Sequence, residues 1–98
     1  MYFITGFIKY ELNAQGYPDI GSYRTFGYYE TESDAIEAVL GNYCDIFEYM
    51  YDYVVVERIE PGLYNIATNR WFFKWNAELK KYEAIESLED HWGNYAFG

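Results

Sequence analysis

The sequence predicts an α+β fold in which a largely antiparallel sheet of about five strands carries a helical segment on one face. Runs with strand-like alternation lie before and after a single helical stretch, in the order β-β-α-(short α)-β-β-β. The 98 residues suit a single domain over 1–98, and 51% of them are of the apolar class. That content is enough to build a core without outside help.

The first two predicted strands lie in the first 30 residues. Residues 2–10 carry apolar side chains on both faces, so this strand is expected to lie inside the sheet. Gly6 within it is expected to mark a bulge or a close approach of another group. Residues 11–21 are rich in turn-forming residues and are expected to connect to a second strand at 22–30.

A helix is expected to begin after Thr31, whose hydroxyl can cap the free N–H groups, with Asp34 as a weaker form of the capping box. The predicted buried stripe consists of Ala35, Ile36, Val39 and Leu40. Gly41-Asn42 is a stop signal. The apolar rhythm over 42–52 fits a second short helix or a continuation past a tolerated glycine, and a break with a second short helix is expected.

The second half of the chain predicts three more strands. Residues 53–59 contain three consecutive valines, which indicates a strand covered on both faces, with the helix packed across it. Residues 63–76 alternate Trp71, Phe73 and Trp75 with Arg70, Phe72 and Lys74, and 82–86 form the last strand. The aromatic tail over 87–98 is expected to dock on the sheet.

Composition restricts the compartment. Cys44 is the only cysteine, so no intrachain disulfide can form and the cytoplasm is the expected location. The first ten residues fit a strand better than a signal peptide. No apolar run approaches the roughly 20 residues that cross a bilayer, so membrane insertion is not expected.

The net charge of −9 opposes direct binding to nucleic-acid phosphates or anionic lipid. The charge is concentrated in residues 28–60, which hold one base, Arg58, and nine acids, a net charge of −8. These acids are Glu30, Glu32, Asp34, Glu37, Asp45, Glu48, Asp52, Glu57 and Glu60.

No catalytic or metal-binding motif is recognisable, and neither an enzymatic activity nor a cofactor is expected. Cys44 and His91 are the only thiol and imidazole, and no flanking motif marks them as a catalytic pair. One Cys and one His cannot form a nitrogen-and-sulfur metal site, and the acids lack the spacing of a calcium loop. The glycines form no nucleotide-binding fingerprint.

Acids and tyrosines interleave between residues 28 and 53, and such a surface suits Arg and Lys through charge-assisted hydrogen bonds and cation–π contacts. A simpler interpretation is that half of these tyrosines fill the core and the acids keep the protein soluble. The residues expected to bind a partner are Glu30, Glu32, Asp34, Glu37, Asp45, Glu48, Tyr49, Tyr51 and Asp52. The bases and aromatics over 70–75 also resemble a single-strand binder, but alternate burial of a strand explains them more simply.

Four stretches resemble a family of short proteins of bacteria and their phages. They read TFGYYETESDAIEAVLGN, DIFEYMYDYVVVERIEPGLYN, RWFFKWN and NYAFG. The resemblance covers most of residues 22–98, while 11–21 has no counterpart. It carries over no activity and no functional residue. It implies a mobile-element context, in which small acidic proteins often occupy a site on a host protein.

Two functions are therefore predicted. The first is a non-enzymatic interaction protein that docks its acidic, tyrosine-rich surface on a basic site of a partner, such as a nucleic-acid-binding or defence protein, as a phosphate-backbone mimic. The alternative is a small-ligand binder or sequestering protein whose aromatic rings enclose a nucleotide or metabolite, either alone or across a homodimer. The shortage of bases argues against a highly phosphorylated ligand.

Overall fold

The computed structural model of the chain describes residues 1–8, 11–12, 14–15, 18–19, 23–49, 51–63, 65–86 and 95–96. The strands are β1 (Tyr2–Phe7), β2 (Glu11–Leu12), β3 (Pro18–Asp19), β4 (Tyr23–Tyr29), β5 (Tyr53–Arg58), β6 (Asn69–Asn76) and β7 (Lys81–Ile85). One α-helix, α1 (Glu32–Leu40), follows β4, and a 3₁₀ helix (Tyr43–Tyr49) connects α1 towards β5.

Five of the strands form one antiparallel sheet in the order β4-β1-β5-β6-β7. The predicted α+β class with a five-stranded antiparallel sheet is confirmed. The two apolar strands β1 and β5 lie inside the sheet, as their composition predicts. Within the predicted connection over 11–21, β2 and β3 pair as a separate two-stranded ladder.

The helical layer packs on one face of the sheet over a cluster that we call the helix-side core. Its buried members are Ile4, Ala35, Ala38, Val39, Ile46, Val54, Val56, Phe73 and Tyr82. Trp71 and Trp75 pack against it from β6, so the predicted alternation of that strand is confirmed. Each large apolar side chain in this core stabilises the fold by about 1.5–3 kcal/mol relative to an exposed position.

The prediction of the buried stripe of α1 is wrong for Leu40 and only partly correct for Ile36. The helix turns Ala35, Ala38 and Val39 towards the sheet, whereas Ile36 is half-buried and Leu40 is 44% exposed. The three buried positions have i, i+3, i+4 spacing, and two alanine methyl groups allow the helix to approach the strands closely. In the described part of the chain, no helix has the length and apolar character required to span a bilayer.

The ends of α1 follow the local signals. The Thr31 hydroxyl accepts a hydrogen bond from the Asp34 amide at 3.3 Å, and the helix ends at Leu40 with Gly41 as its cap. Asn42 then adopts a left-handed conformation with φ +48°, and its side-chain oxygen accepts a hydrogen bond from the Phe47 amide at 3.0 Å. The Phe47 ring stacks on Trp75 with ring centroids 4.0 Å apart, which packs the predicted second short helix, here 3₁₀, on β6.

Gly6 is a point of close approach, as predicted, while the bulge lies across from it in β4. The pairing register shifts between Ile4 and Thr5, which leaves Phe26 as the extra residue of β4. A Cβ atom at Gly6 would lie 2.7 Å from the Phe26 ring and 3.1 Å from the Tyr51 side chain. The glycine therefore allows both rings to pack against the backbone of β1.

On the opposite face of the sheet, Tyr95 of the tail joins a smaller cluster that we call the tail-side core. Phe7, Val55 and Phe72 are buried there together with Tyr95, and the Phe7 and Tyr95 rings stack 5.3 Å apart. The predictions that β5 is covered on both faces and that the tail docks on the sheet are confirmed for these residues. Trp92 and Phe97 lie outside the described residues.

A buried carboxylate holds the tail in place. Glu57, in the central strand β5, has no exposed surface. Its two oxygens accept hydrogen bonds from the backbone N–H groups of Tyr95 at 2.9 Å and Ala96 at 2.7 Å. The Nε atom of Arg70 donates to the same carboxylate at 3.1 Å. These donors compensate the charge that burial would otherwise make costly.

Replacing Glu57 with Gln is expected to lower the free energy of unfolding by about 2–4 kcal/mol, because an amide nitrogen would face donors that need an acceptor. Urea denaturation measures this change, and hydrogen exchange at the Tyr95 and Ala96 amides should accelerate. Glu60→Gln is the matched control, since Glu60 pairs with Arg58 at 3.0 Å on the surface and its loss should cost less than about 1 kcal/mol. Equal effects of the two variants would contradict the role of the buried carboxylate.

Candidate functional site: the acidic face of the helical layer

The helical layer carries most of the exposed negative charge of the described residues. From Thr25 to Glu57 the sequence contains no Lys or Arg. Because α1 and the 3₁₀ helix pack on one side of the sheet, we infer that the exposed acids of these elements and their connections face solvent on that side. We call this set the acidic face; its exposed carboxylates are Glu30, Glu32, Asp34, Glu37, Asp45 and Asp52.

The acidic face is not neutralised internally. Among the described residues, ion pairs join Arg58 to Glu60 and Arg70 to Glu57, and none involves a carboxylate of the acidic face. Arg70 lies on the tail side of β6, away from the helical layer. Lys74, on that side too, lies with its Nζ atom 5.7 Å from the centre of the Tyr53 ring. Part of the basic charge is therefore held on the face of the sheet that the acids do not occupy.

Helix geometry determines how the acids are presented. Glu32 and Asp34 occupy the first turn of α1, where the unpaired N–H groups and the helix dipole stabilise negative charge. Glu37 lies one turn further along, on the exposed side. Three exposed carboxylates therefore lie along one short helix.

Tyr43 forms a carboxylate-and-phenol pair with Glu37 at the end of the helix. It is 44% exposed, and its hydroxyl donates a hydrogen bond to Glu37 Oε1 at 3.0 Å. This hydrogen bond and the negative charge of Glu37 raise the pKa of the Tyr43 phenol, and the nearby Tyr29 and Asp34 add to the effect. A guanidinium or ammonium group could contact the ring and the carboxylate together.

An apolar groove runs along the outer side of α1. Ile36, Leu40 and the Tyr43 ring contribute its apolar surface, and Glu32 and Glu37 lie along it. We call it the α1 groove. Leu40 is exposed there because the helix turns its alanines to the sheet, so the groove is a consequence of the packing of α1.

Asp45 and Asp52 of the acidic face lie near a buried tyrosine. Burial raises the pKa of the Tyr82 phenol, and the charges of Asp52 and Asp45 raise it further. The Tyr82 hydroxyl donates to the Tyr51 carbonyl at 2.7 Å. This contact ties β7 to the connection that precedes β5 and so positions Asp52 beside the end of the 3₁₀ helix.

The acidic face differs from the predicted partner-binding set at several positions. Tyr51 is only 9% exposed, and its ring packs edge-on against Phe26, so its prediction as a surface residue is wrong. Glu57 is buried and Glu60 is paired with Arg58, which removes two acids from the predicted concentration of charge. The side chains of Glu48 and Tyr49 lie outside the described part of the chain.

The sequence does not identify two contributors to the acidic face. It predicts Leu40 in the buried stripe, because the spacing of Leu40 from Ile36 fits a buried stripe as well as an exposed one. Tyr43 is one of several interleaved tyrosines in the sequence, and only the fold shows that its hydroxyl reaches Glu37. Their separation of six residues across a helix end is not a sequence motif.

A cavity of about 260 Å³ lies between β4 and the helical layer, next to Tyr43. We call it the Gly27 slot, because Gly27 of the bulge lines it without contributing a side chain. Its other lining residues are Ile4, Phe26, Tyr28, Tyr29, Ala38, Tyr43 and Ile46. The sequence predicts an aromatic ligand pocket but does not show where it lies, and the slot is a candidate for that pocket.

Neither metal binding nor similarity to known proteins points to a function for the acidic face. Within the described residues, no group of three or more His, Cys, Asp or Glu side chains is placed to hold a metal ion. Cys44 and His91 are not among the described side chains.

Comparison with protein-family models, curated proteins and solved structures gives no significant match. The resemblance to short bacterial and phage proteins therefore stays a prediction from the sequence motifs.

The Tyr82 hydroxyl gives a testable pH dependence. Its pKa is higher in the folded protein than in the unfolded chain, so its contribution to stability is complete below about pH 10 and is lost as the pH rises towards the folded value. Tyr82→Phe is expected to lower the free energy of unfolding by about 1 kcal/mol at neutral pH. The variant should also lose less stability than the wild type between pH 9 and about pH 11.

Urea denaturation at several pH values measures both effects. Tyr23→Phe, which removes a hydroxyl from an exposed ring, is the control for the loss of one phenol. If Tyr82→Phe and the wild type lose stability in parallel above about pH 10, the Tyr82 hydroxyl does not cause the loss of stability at alkaline pH.

Proposed function

We propose that this protein is a non-enzymatic interaction protein that docks its acidic face and the α1 groove on a basic site of a partner protein. The observation that carries the proposal is the exposed charge of the helical layer, where six described carboxylates remain without a cationic partner. Unpaired charges of one sign on one side of a small protein create a field that attracts the opposite charge.

The apolar surface beside the acids supports a docking role beyond simple solubility. Leu40 and Tyr43 are each 44% exposed, and burying their side chains against a partner would release water from apolar surface. The flanking carboxylates of Glu32 and Glu37 would orient an Arg or Lys at the rim. Apolar contacts of this kind supply affinity, whereas the charges mainly accelerate association and select the partner.

We further propose that the occupied site is one that otherwise binds nucleic-acid phosphates. A base-free stretch with exposed acids presents negative charge to Arg and Lys much as a phosphate backbone does. An inhibitor of a nucleic-acid-binding or defence protein would act in this way. Duplex DNA should then compete with the protein for the partner, and the partner complex should weaken as salt rises.

The test compares two variants of equal net charge. Glu32→Gln/Glu37→Gln neutralises two acids of the acidic face, and Glu78→Gln/Glu86→Gln neutralises two exposed acids near β7. Proteins captured from a lysate of the native host by the wild type are identified by mass spectrometry, purified and measured directly by surface plasmon resonance. We expect the first variant to reduce the association rate constant on the order of tenfold at low salt.

The second variant should associate nearly as fast as the wild type, since its overall charge is the same but its acidic face is intact. Two equal reductions would indicate an effect of net charge alone and would contradict the proposed docking face. Failure of duplex DNA to displace the protein from a captured partner would contradict the mimicry, while leaving the docking itself intact.

A further inference from the structure

We infer that the Gly27 slot is a binding site for a small planar aromatic ring that carries a protonated amine. The inference rests on the free space at Gly27, on the residues that line the cavity and on the carboxylate held beside it. It does not depend on the proposed partner, because it concerns the isolated protein and a small molecule.

The free space arises from the bulge in the edge strand β4. Gly27 has φ +153°, and a Cβ atom placed there would meet no heavy atom within 4 Å. At Gly6, Gly41 and Gly62, by contrast, a Cβ atom would meet a neighbour within 2.7 Å. Gly27 therefore lines the slot with backbone alone, and no described side chain takes up the space beside it.

The size of the slot restricts the class of ligand. A volume of about 260 Å³ falls just below the roughly 300–1,000 Å³ of sites for drug-sized molecules. One ring with a short substituent fits this volume, whereas a nucleotide with its sugar and phosphates does not. The slot is therefore assigned to the metabolite part of the ligand prediction made from the sequence.

The lining favours an aromatic ring. Ile4, Ala38 and Ile46 are buried members of the helix-side core and form an apolar floor. Phe26 and Tyr29 contribute aromatic side chains from the two sides of Gly27 in β4. A planar apolar group would exchange contact with water for contact with these side chains, and aromatic pairs gain further from edge-to-face or offset geometry.

A carboxylate held beside the slot favours an amine. Tyr43 lines the slot, and its hydroxyl donates a hydrogen bond of 3.0 Å to the Glu37 carboxylate. The Arg24 guanidinium lies 5.9 Å from the centre of the Phe26 ring, which also lines the slot. An ammonium group on the substituent of a bound ring can pair with Glu37 beside Tyr43, whereas a carboxylate in that position would be repelled.

Three probes of similar size and different charge test the inference: phenethylamine, 2-phenylethanol and phenylacetate. Each is titrated into the ¹⁵N-labelled protein at pH 7, and amide shifts are followed by NMR. We expect the largest shifts at the amides of Gly27, Ala38 and Ile46. The amine should bind about tenfold more tightly than the alcohol, and phenylacetate more weakly than either.

Variants at exposed positions assign the effect to the slot. Glu37→Gln should bring the affinity for the amine close to that for the alcohol, and Tyr43→Ala should weaken the binding of the amine and of the alcohol. Glu78→Gln and Tyr23→Ala, which change an exposed acid and an exposed ring elsewhere, are the matched controls and should leave all affinities unchanged. Thermal melting confirms that each variant is folded.

Absence of shifts at the slot amides with all three probes would overturn the inference. Binding of phenylacetate as tight as that of the amine would overturn the selection for positive charge. Equal weakening by the control variants would overturn the assignment to the slot.

Discussion

The buried carboxylate of Glu57 constrains the whole fold. A charge in the central strand with no exposed surface needs donors from more than one direction. One donor comes from Arg70 on the neighbouring strand, and the others are the backbone N–H groups of Tyr95 and Ala96. Tyr95 and Ala96 therefore lie against that face of the sheet. With these two residues in place, the valines of β5 are buried on both sides, and a five-stranded sheet with one helical layer has two cores.

The positions of Arg70 and Lys74 affect which acids of the protein have a cationic partner. Arg70 is engaged by Glu57, and Lys74 lies near the Tyr53 ring, so both cations lie on the face against which Tyr95 and Ala96 pack. Among the described residues, the exposed acids of α1 and its connections have no such ion pair. Their exposed charge is the physical basis of the proposed docking role.

The two candidate binding features, the α1 groove and the Gly27 slot, both follow from how α1 packs. Two alanines on its inner side allow a close approach to the sheet and turn Leu40 outward. Gly27, next to the bulge at Phe26, contributes no side chain to the space between β4 and the helical layer. Tyr43 lines both features, and its hydrogen bond to Glu37 fixes a phenol and a carboxylate between them. A ligand in the slot and a partner on the groove would therefore contact one common side chain.

The sequence by itself determined the features that depend on neighbouring residues. It predicted the strands from their alternation, the start of α1 from the Thr31 hydroxyl and its end from Gly41-Asn42, because caps and turns are made within a few residues of chain. Only the tertiary structure decided that Glu57 is buried and that Tyr51 is not a surface residue. Carboxylates and phenols are found both inside and outside proteins, and their position depends on partners distant in the chain, such as the Ala96 amide 39 residues away. The sequence shows the acidic composition. Only the fold, with its paired strands, separates the buried carboxylate of Glu57 from the exposed carboxylates of the acidic face.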